Sequence, residues 1–174
     1  PYVFDASHTR IGYSVDHMGL SEMHGAFRKF EGSLQFDSKD LAASSVDVSI
    51  DVASIDTGIA KLDEHLRAAD FFDVAQFAKM HFKSSKVEPT SASTFKLHGD
   101  LTLHGVTKPV VLDVSMRSLD SHPMLKVPAA GFLATTKINR SDFGITTYPG
   151  AIGEQVTIRI DTETRQAPAK AASE

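Results

Sequence analysis

Eight histidines are the residues of this 174-residue chain that most directly suggest metal or acid–base chemistry. His98 and His104 lie six positions apart in one predicted strand, so their side chains share a face. Six residues of strand span about 20 Å, which is too far for both side chains to bind one ion. The chain has no HExxH sequence and no cysteine. We therefore expect surface histidines, and we predict no metal site.

His8 and His17 stand near the starts of predicted strands, and two roles are open for them. A histidine that is buried in a fold normally forms hydrogen bonds to the backbone. The alternative is that one of the two contacts the polar head of a ligand.

Carboxylates and serines give little support for catalysis. Asp70 and Asp73 are close enough in sequence to suggest the acid and base of a glycosidase, but charges after a helix normally serve solubility. No GxSxG sequence is present. Residues 105–108 (GVTK) are not a phosphate loop, because that motif needs a longer stretch after its first glycine and a second glycine directly before the lysine. We expect a protein that is not an enzyme and needs no cofactor.

Composition is that of an ordinary globular domain, and it argues against two classes of partner. The chain carries 18 basic and 22 acidic residues, interspersed, for a net charge of −4. Nucleic acid and anionic membrane surfaces are therefore not expected partners. No stretch approaches the roughly 18 apolar residues that cross a membrane as a helix. We predict one domain over residues 1–165 and a disordered tail or linker over 166–174.

Apolar and polar residues alternate with a period of two along much of the chain, which predicts half-buried strands. Three runs are clear, at 46–52, 95–104 and 110–116. The parity of the apolar positions changes between the last two, and Gly105 and Pro109 bracket a predicted hairpin that turns both apolar faces to one side. Further candidates bring the total to about eight strands. They are residues 10–18, 25–36, 80–87, 131–138 and 155–163.

One segment, residues 59–69, predicts an amphipathic helix, because apolar residues recur at three- and four-residue spacing from Ile59 to Ala69. Phe71 and Phe72 follow it directly. Two interpretations of this aromatic pair are open. The rings either fasten the helix to the rest of the fold, or one of them contacts a ligand.

Antiparallel strands with one apolar face must cover that face, and closure into a barrel does so without leaving edges. One helix is too small to cover the sheet. We therefore expect an all-β fold, an antiparallel barrel of about eight strands with the helix at its rim. Periodicity alone favours a filled core, although the absence of tryptophan and the small residues at 131–136 are compatible with unfilled volume.

Seven short motifs follow one another along the chain. They are DASHT (5–9), HMGLS (17–21), GAF (25–27), SIDTG (54–58), DEHLRAADFFDV (63–74), GDLTLHGVTKP (99–109) and NRSDFGI (139–145). In this order they resemble the YceI-like family of lipid- or polyisoprenoid-binding proteins. The resemblance implies a lipocalin-like barrel, capped by the helix, around a tunnel for a long apolar chain. It also implies a periplasmic or secreted setting, with the signal peptide outside the printed chain, and possible homodimers.

With this resemblance, the candidate ligand-binding residues are inward apolar side chains, aromatic residues and one histidine. They are His17, Phe27, Phe36, Val48, Ile50, Phe71, Phe72, Phe82, Leu101, Leu103, Leu112, Val114, Phe132 and Ile158. We expect them to hold an isoprenoid or quinone-type lipid for transport, storage or sequestration. Two alternatives are a non-catalytic interaction module with a filled core in a secreted modular protein, and a lipid or sugar hydrolase.

Overall fold

The computed structural model describes residues 1–168, which contain ten strands and one α-helix. The elements are β1 (Tyr2–His17), β2 (Ser21–Phe27), β3 (Phe30–Gln35), β4 (Ser45–Asp51), β5 (Ile55–Asp56), α1 (Ala60–Arg67), β6 (Lys79–Pro89), β7 (Thr94–Leu103), β8 (Val106–Leu119), β9 (Ala129–Asn139) and β10 (Ile152–Gln166). Within this part of the chain, no helix has the length and apolar character needed to cross a membrane. Gln166, the first residue of the predicted tail, lies in β10, and residues 169–174 of that tail lie outside the described residues.

Eight strands form a closed antiparallel barrel in the order β1, β3, β4, β6, β7, β8, β9 and β10, and β1 returns to pair with β10. Strand β1 is shared between two neighbours, since Tyr2 pairs with Leu34 of β3 while residues 11–17 pair with β2. The short β5 extends this side by pairing with β2. The predicted all-β barrel of about eight strands with one helix is confirmed, and the extra strands β2 and β5 are an addition to it.

The predicted hairpin between β7 and β8 is confirmed, with a shorter turn than the sequence indicates. Leu103 pairs with Val106, so the turn consists of His104 and Gly105 alone. Both have positive φ, 54° and 73°, as a two-residue turn between twisted antiparallel strands requires. Pro109 therefore lies inside β8 rather than in the connection.

Two predicted strands differ in more than the length of their ends. Strand β1 begins at Tyr2 rather than at residue 10, because a bulge at residues 6–9 interrupts its alternation. The predicted strand over residues 25–36 is two strands, β2 and β3. Phe27 and Phe30 are three apart, so one unbroken strand would place them on opposite faces, yet both pack into the same core cluster.

Helix α1 lies within the predicted 59–69 segment and is fastened at both ends by polar contacts. At its start, buried Asp63 accepts hydrogen bonds from the backbone N–H and the hydroxyl of Thr57, at 2.8 and 2.6 Å. At its end, the Arg67 guanidinium donates to the carbonyl oxygens of Ala53 and Ile55, at 2.9 and 3.3 Å. These bonds hold an eight-residue helix, too short to be stable alone, against the barrel rim.

Candidate ligand-binding cavity

A cavity of about 370 Å³ occupies one end of the barrel beneath α1. Most of its wall is apolar, and a few polar side chains interrupt it. The lining residues are Tyr13, Val15, His17, Met18, Met23, His24, Phe27, Thr57, Leu62, His65, Leu66, Phe71, Phe72, Met80, Leu103, Ile138, Arg140, Ile145, Tyr148, Ala151, Ile152, Val156 and Ile158. We call this end of the barrel, with α1 and residues 140–151, the open half.

Strand register explains how β1 and β10 form one wall of the cavity. Tyr13 lies opposite Ile158, and Val15 lies opposite Val156. Directly opposed residues of an antiparallel pair project from the same face of the sheet, so these four side chains all point inward. Alternation within each strand then keeps the residues between them on the outer face.

Helix α1 and the turn after it form the lid of the cavity. Leu62 and Leu66, four residues apart on one helical face, both line it. Phe71 and Phe72 line it as well, because residues 68–77 form hydrogen-bonded turns in which adjacent side chains need not point to opposite faces. Phe72 meets Phe27 edge-to-face with ring centroids 5.7 Å apart. The aromatic pair thus fastens the lid and borders the cavity at once.

Arg140 supports the rim from inside, with only 5% of its surface exposed. Its guanidinium donates to the backbone carbonyl oxygens of Ile145, Ile152 and Gly153 at 3.0 to 3.2 Å, and more weakly to that of Tyr148 at 3.5 Å. A buried cation is costly unless it is well hydrogen-bonded, and here the carbonyl dipoles serve that purpose. One side chain thereby holds the loop that carries Ile145 and Tyr148 into the wall.

Tyr13 places a half-buried phenol in this apolar wall. Burial raises the pKa of Tyr13 to about 12, and the neighbouring carboxylate of Asp63 adds to the effect. The phenol is therefore neutral at physiological pH. Gly25 makes room for it, since a Cβ at that position would lie 2.5 Å from the Tyr13 ring.

The other end of the barrel, which we call the packed half, is filled with side chains. Its buried cluster consists of Val87, Phe95, Leu112, Val114 and Ala134. A chain of edge-to-face aromatic contacts crosses it, from Tyr2 to Phe36 and Phe132 at 5.2 Å each and on to Phe95 at 6.5 Å. The interior is therefore divided along the barrel axis into a cavity and a filled core.

The structure separates the predicted ligand-binding residues into two groups. Those that line the cavity are His17, Phe27, Phe71, Phe72, Leu103 and Ile158. Those that lie outside its lining are Phe36, Val48, Ile50, Phe82, Leu101, Leu112, Val114 and Phe132. Of this second group, Ile50 and Leu101 are buried in the core cluster next to the cavity, with Val48 and Phe82 packed against them. Leu112, Val114 and Phe132 belong to the packed half, and Phe36 touches Phe132.

Several lining residues were not predicted. Tyr13 and Val15 share the parity of His17 in β1, so extending the alternation back from His17 would have found them. Arg140 and Tyr148 lie outside regular strands, where no periodicity points to a cavity.

The structure places the histidines considered above at separate points of the fold. His98 forms a pair with Glu88 at 3.0 Å, and His104 lies in the β7–β8 turn, 3.0 Å from the carbonyl oxygen of Phe143. His17 lines the cavity, while His8 lies near the other end of β1. Asp70 and Asp73, considered above for hydrolysis, are not among the residues that line the cavity.

Comparison with known proteins identifies the family. The family model described as "YceI-like domain" matches residues 2–164. The chain belongs to the YceI-like family. It is 39% identical over 146 residues to a UPF0312 protein of Vibrio cholerae, covering 83% of this chain and 77% of that protein. It is 37% identical over 164 residues to a UPF0312 protein of Azotobacter vinelandii, covering 93% and 85% of the two chains.

Solved structures agree with the YceI-like barrel. The Campylobacter jejuni YCEI protein superposes with a TM-score of 0.81 at 28% identity, covering 88% of this chain and 90% of that one. Burkholderia cenocepacia BcnA superposes with a TM-score of 0.84 at 23% identity, covering 92% and 98%. A polyisoprenoid binding domain from Saccharophagus degradans superposes with a TM-score of 0.69 at 14% identity, covering 95% and 98%. At these last two identities the likeness concerns the fold alone.

Proposed function

We propose that this YceI-like barrel binds a long apolar isoprenoid or quinone-type lipid, with part of the tail in the cavity and the polar head near its rim. The observation that carries the proposal is the apolar cavity beneath α1. Its volume, about 370 Å³, equals that of roughly a dozen molecules of liquid water. The name of the Saccharophagus degradans domain, which shares the barrel, supports an isoprenoid as the class of ligand.

Binding by burial alone is sufficient for such a ligand. Each CH₂ group that leaves water contributes about 0.8 kcal/mol, so a tail needs few polar contacts to be held. Polar residues at the rim, among them His17 and His65, are placed to orient a head group. The role that follows is non-catalytic transport, storage or sequestration. A periplasmic or secreted setting and a homodimer stay predictions from the family resemblance.

The cavity also favours this function over the two alternatives. An interaction module with a filled core would need the open half to be packed like the packed half. A hydrolase would need reactive groups converging on the cavity. Tyr13, a cavity residue whose pKa is raised, is held neutral by burial, and the neighbouring carboxylate of Asp63 accepts hydrogen bonds from Thr57. This arrangement favours binding over catalysis.

The test is extraction and mass spectrometry of the purified protein, followed by binding of a polyprenol and a quinone probe. Ile158→Trp places an indole in the cavity and should abolish uptake of both probes while the protein stays folded. Ile59→Trp is the matched control, because Ile59 is 59% exposed and its replacement should leave uptake unchanged. Failure of the wild-type protein to take up either probe, or full uptake by folded Ile158→Trp, would overturn the proposal.

A further inference from the structure

The seam where β1 and β10 close the barrel carries a cluster of titratable side chains, far from the cavity. Asp5 pairs directly with Glu163 across the seam, so two carboxylates face each other in register. Like charges directly opposite in an antiparallel pair are destabilising. Among the described residues, both carboxylates have the same ion-pair partner, His8.

A β-bulge brings His8 to the two carboxylates. Between Asp5 and residue 10, β1 contains four residues, whereas β10 contains one, Thr162, across the same interval. The surplus residues form a loop that is closed by Thr9, whose hydroxyl bonds to the Asp5 carbonyl oxygen at 2.6 Å and to the Thr162 hydroxyl at 2.7 Å. The loop turns the His8 ring back over the seam, with Nδ1 2.8 Å from Asp5 Oδ2 and 3.8 Å from Glu163 Oε2.

We propose that Asp5, His8 and Glu163 form a binding site for a divalent first-row transition-metal ion, for which Zn²⁺ is the probe. One atom from each side chain lies within 4.8 Å of the other two. Donor atoms around a tetrahedral ion with bonds of about 2.0–2.1 Å lie roughly 3.4 Å apart, so small side-chain rotations seat the ion. One imidazole nitrogen and two carboxylate oxygens, with water in the remaining position, form a donor set that suits such ions.

Contacts behind the ligands hold the cluster ready for an ion. The Ser7 backbone N–H and hydroxyl both donate to Asp5 Oδ1, at 3.0 and 2.6 Å, which leaves Oδ2 directed at His8. Supporting contacts of this kind orient metal ligands and strengthen binding. All three ligands are accessible, with 30% to 60% of their side chains exposed, so an ion reaches them without opening the barrel.

Other histidine–carboxylate pairs on the surface provide matched controls. His98 lies 3.0 Å from Glu88, and His81 lies 2.6 Å from Asp47. Each is a two-member pair. Within the described part of the chain, Asp5, His8 and Glu163 are the one group of three possible ligands that lie this close together. Replacing these histidines removes a surface imidazole and leaves the proposed site intact.

The experiment is calorimetric titration of the full chain with ZnCl₂ in a non-coordinating buffer. We expect saturable binding of one ion per chain, weakened at least tenfold in His8→Ala and in Glu163→Gln and roughly tenfold in Ser7→Ala. His98→Ala and His81→Ala should bind as the wild type does. Zn²⁺ should also raise the thermal midpoint of the wild type and leave that of His8→Ala unchanged.

Two results would overturn the proposal. One is the absence of saturable binding in the wild type, and the other is undiminished binding in both His8→Ala and Glu163→Gln. Because His8 and Glu163 are largely exposed, circular dichroism should show both variants folded, so a loss of binding reports the site itself. Lipid uptake should be the same with and without Zn²⁺, since the cluster shares no residue with the cavity lining.

Discussion

The open and packed halves of this barrel are made from the same strands, yet they fill their interiors differently. In the packed half, Leu112 of β8 and Phe95 of β7 belong to one buried cluster, and Phe132 of β9 meets Phe36, which follows β3, edge-to-face. In the open half, mid-sized residues such as Val156 and Ile158 line the wall of the cavity. A barrel of eight strands is at the size where either outcome is possible, so the choice depends on which side chains lie at each level.

The halves also differ in what holds them together. Both halves contain a buried apolar cluster. The open half is closed by a lid and a loop that are fastened by polar bonds, namely those of Asp63 with Thr57, of Arg67 with the backbone, and of buried Arg140 with carbonyl oxygens. These directional bonds fix the positions of the lid and the loop that border the cavity. Stability and binding should therefore separate by half, and four predictions test this.

The largest effect is expected in the packed half. Phe95→Ala removes a buried ring that touches Phe132 and leaves a new void, so it should lower the free energy of unfolding by about 3–5 kcal/mol. Uptake of an apolar probe by the folded fraction should not change. Urea denaturation followed by circular dichroism measures the free energy of unfolding, and probe titration measures the uptake. A large loss of uptake at preserved fold would mean that the ligand reaches the packed half.

The next effect concerns the polar support of the open half. Arg140→Lys keeps the charge, but an ammonium group cannot reach carbonyl oxygens on several sides as the guanidinium does. We expect a loss of about 2–4 kcal/mol in unfolding free energy, together with weaker uptake. Hydrogen exchange should show faster exchange over residues 144–153. Unchanged exchange there would show that the loop is held by its apolar contacts instead.

Much of this architecture could be predicted from the sequence, because alternation reports which face of a strand points inward. The alternation correctly predicts the β7–β8 hairpin and the inward direction of Leu103 and Leu112. Alternation does not report the level of a residue along the barrel axis or what faces it from another strand. Leu103 therefore borders the cavity while Leu112 is packed, although both point inward.

The support of the rim was beyond sequence reasoning for a different physical reason. Arg140 bonds to backbone carbonyl oxygens, which every residue possesses, so no pattern of side chains marks its partners. The role of Phe71 and Phe72 depended on a turn that alternation cannot describe. In contrast, the order of the short motifs carried the family assignment, which the match over residues 2–164 confirms.

Titration of Tyr13 reports whether the interior of the open half is dry. The pKa of Tyr13 is raised to about 12 from an ordinary value of 10.0, first by burial. The neutral phenol therefore contributes roughly 2–3 kcal/mol to the free energy of unfolding. This contribution is complete below the unfolded-state pKa near 10 and is lost as the pH rises through 12. Phenolate absorbance, as the difference between wild type and Tyr13→Phe, measures the titration. A midpoint near 10 would indicate that water fills the cavity and would weaken the contrast between the halves.

The smallest effect is expected for an aromatic residue of the open half, Phe72→Ala. Phe72 is only half-buried and already borders the cavity, so its removal enlarges an existing space rather than creating one. The loss then consists of its buried area and its edge-to-face pair with Phe27, about 1–2 kcal/mol in unfolding free energy. Phe95→Ala is the matched control, since the chemical change is identical and only the half differs.

Probe binding should respond in the opposite order to stability. Phe72 contributes to the lid, so its loss should weaken retention of an apolar probe more than Phe95→Ala does, although the protein is the more stable of the two variants. Urea midpoints and probe dissociation rates, measured on the same samples, give both rankings. Equal losses of stability in the two variants, or faster probe dissociation from Phe95→Ala, would mean that the two halves behave as one continuous core.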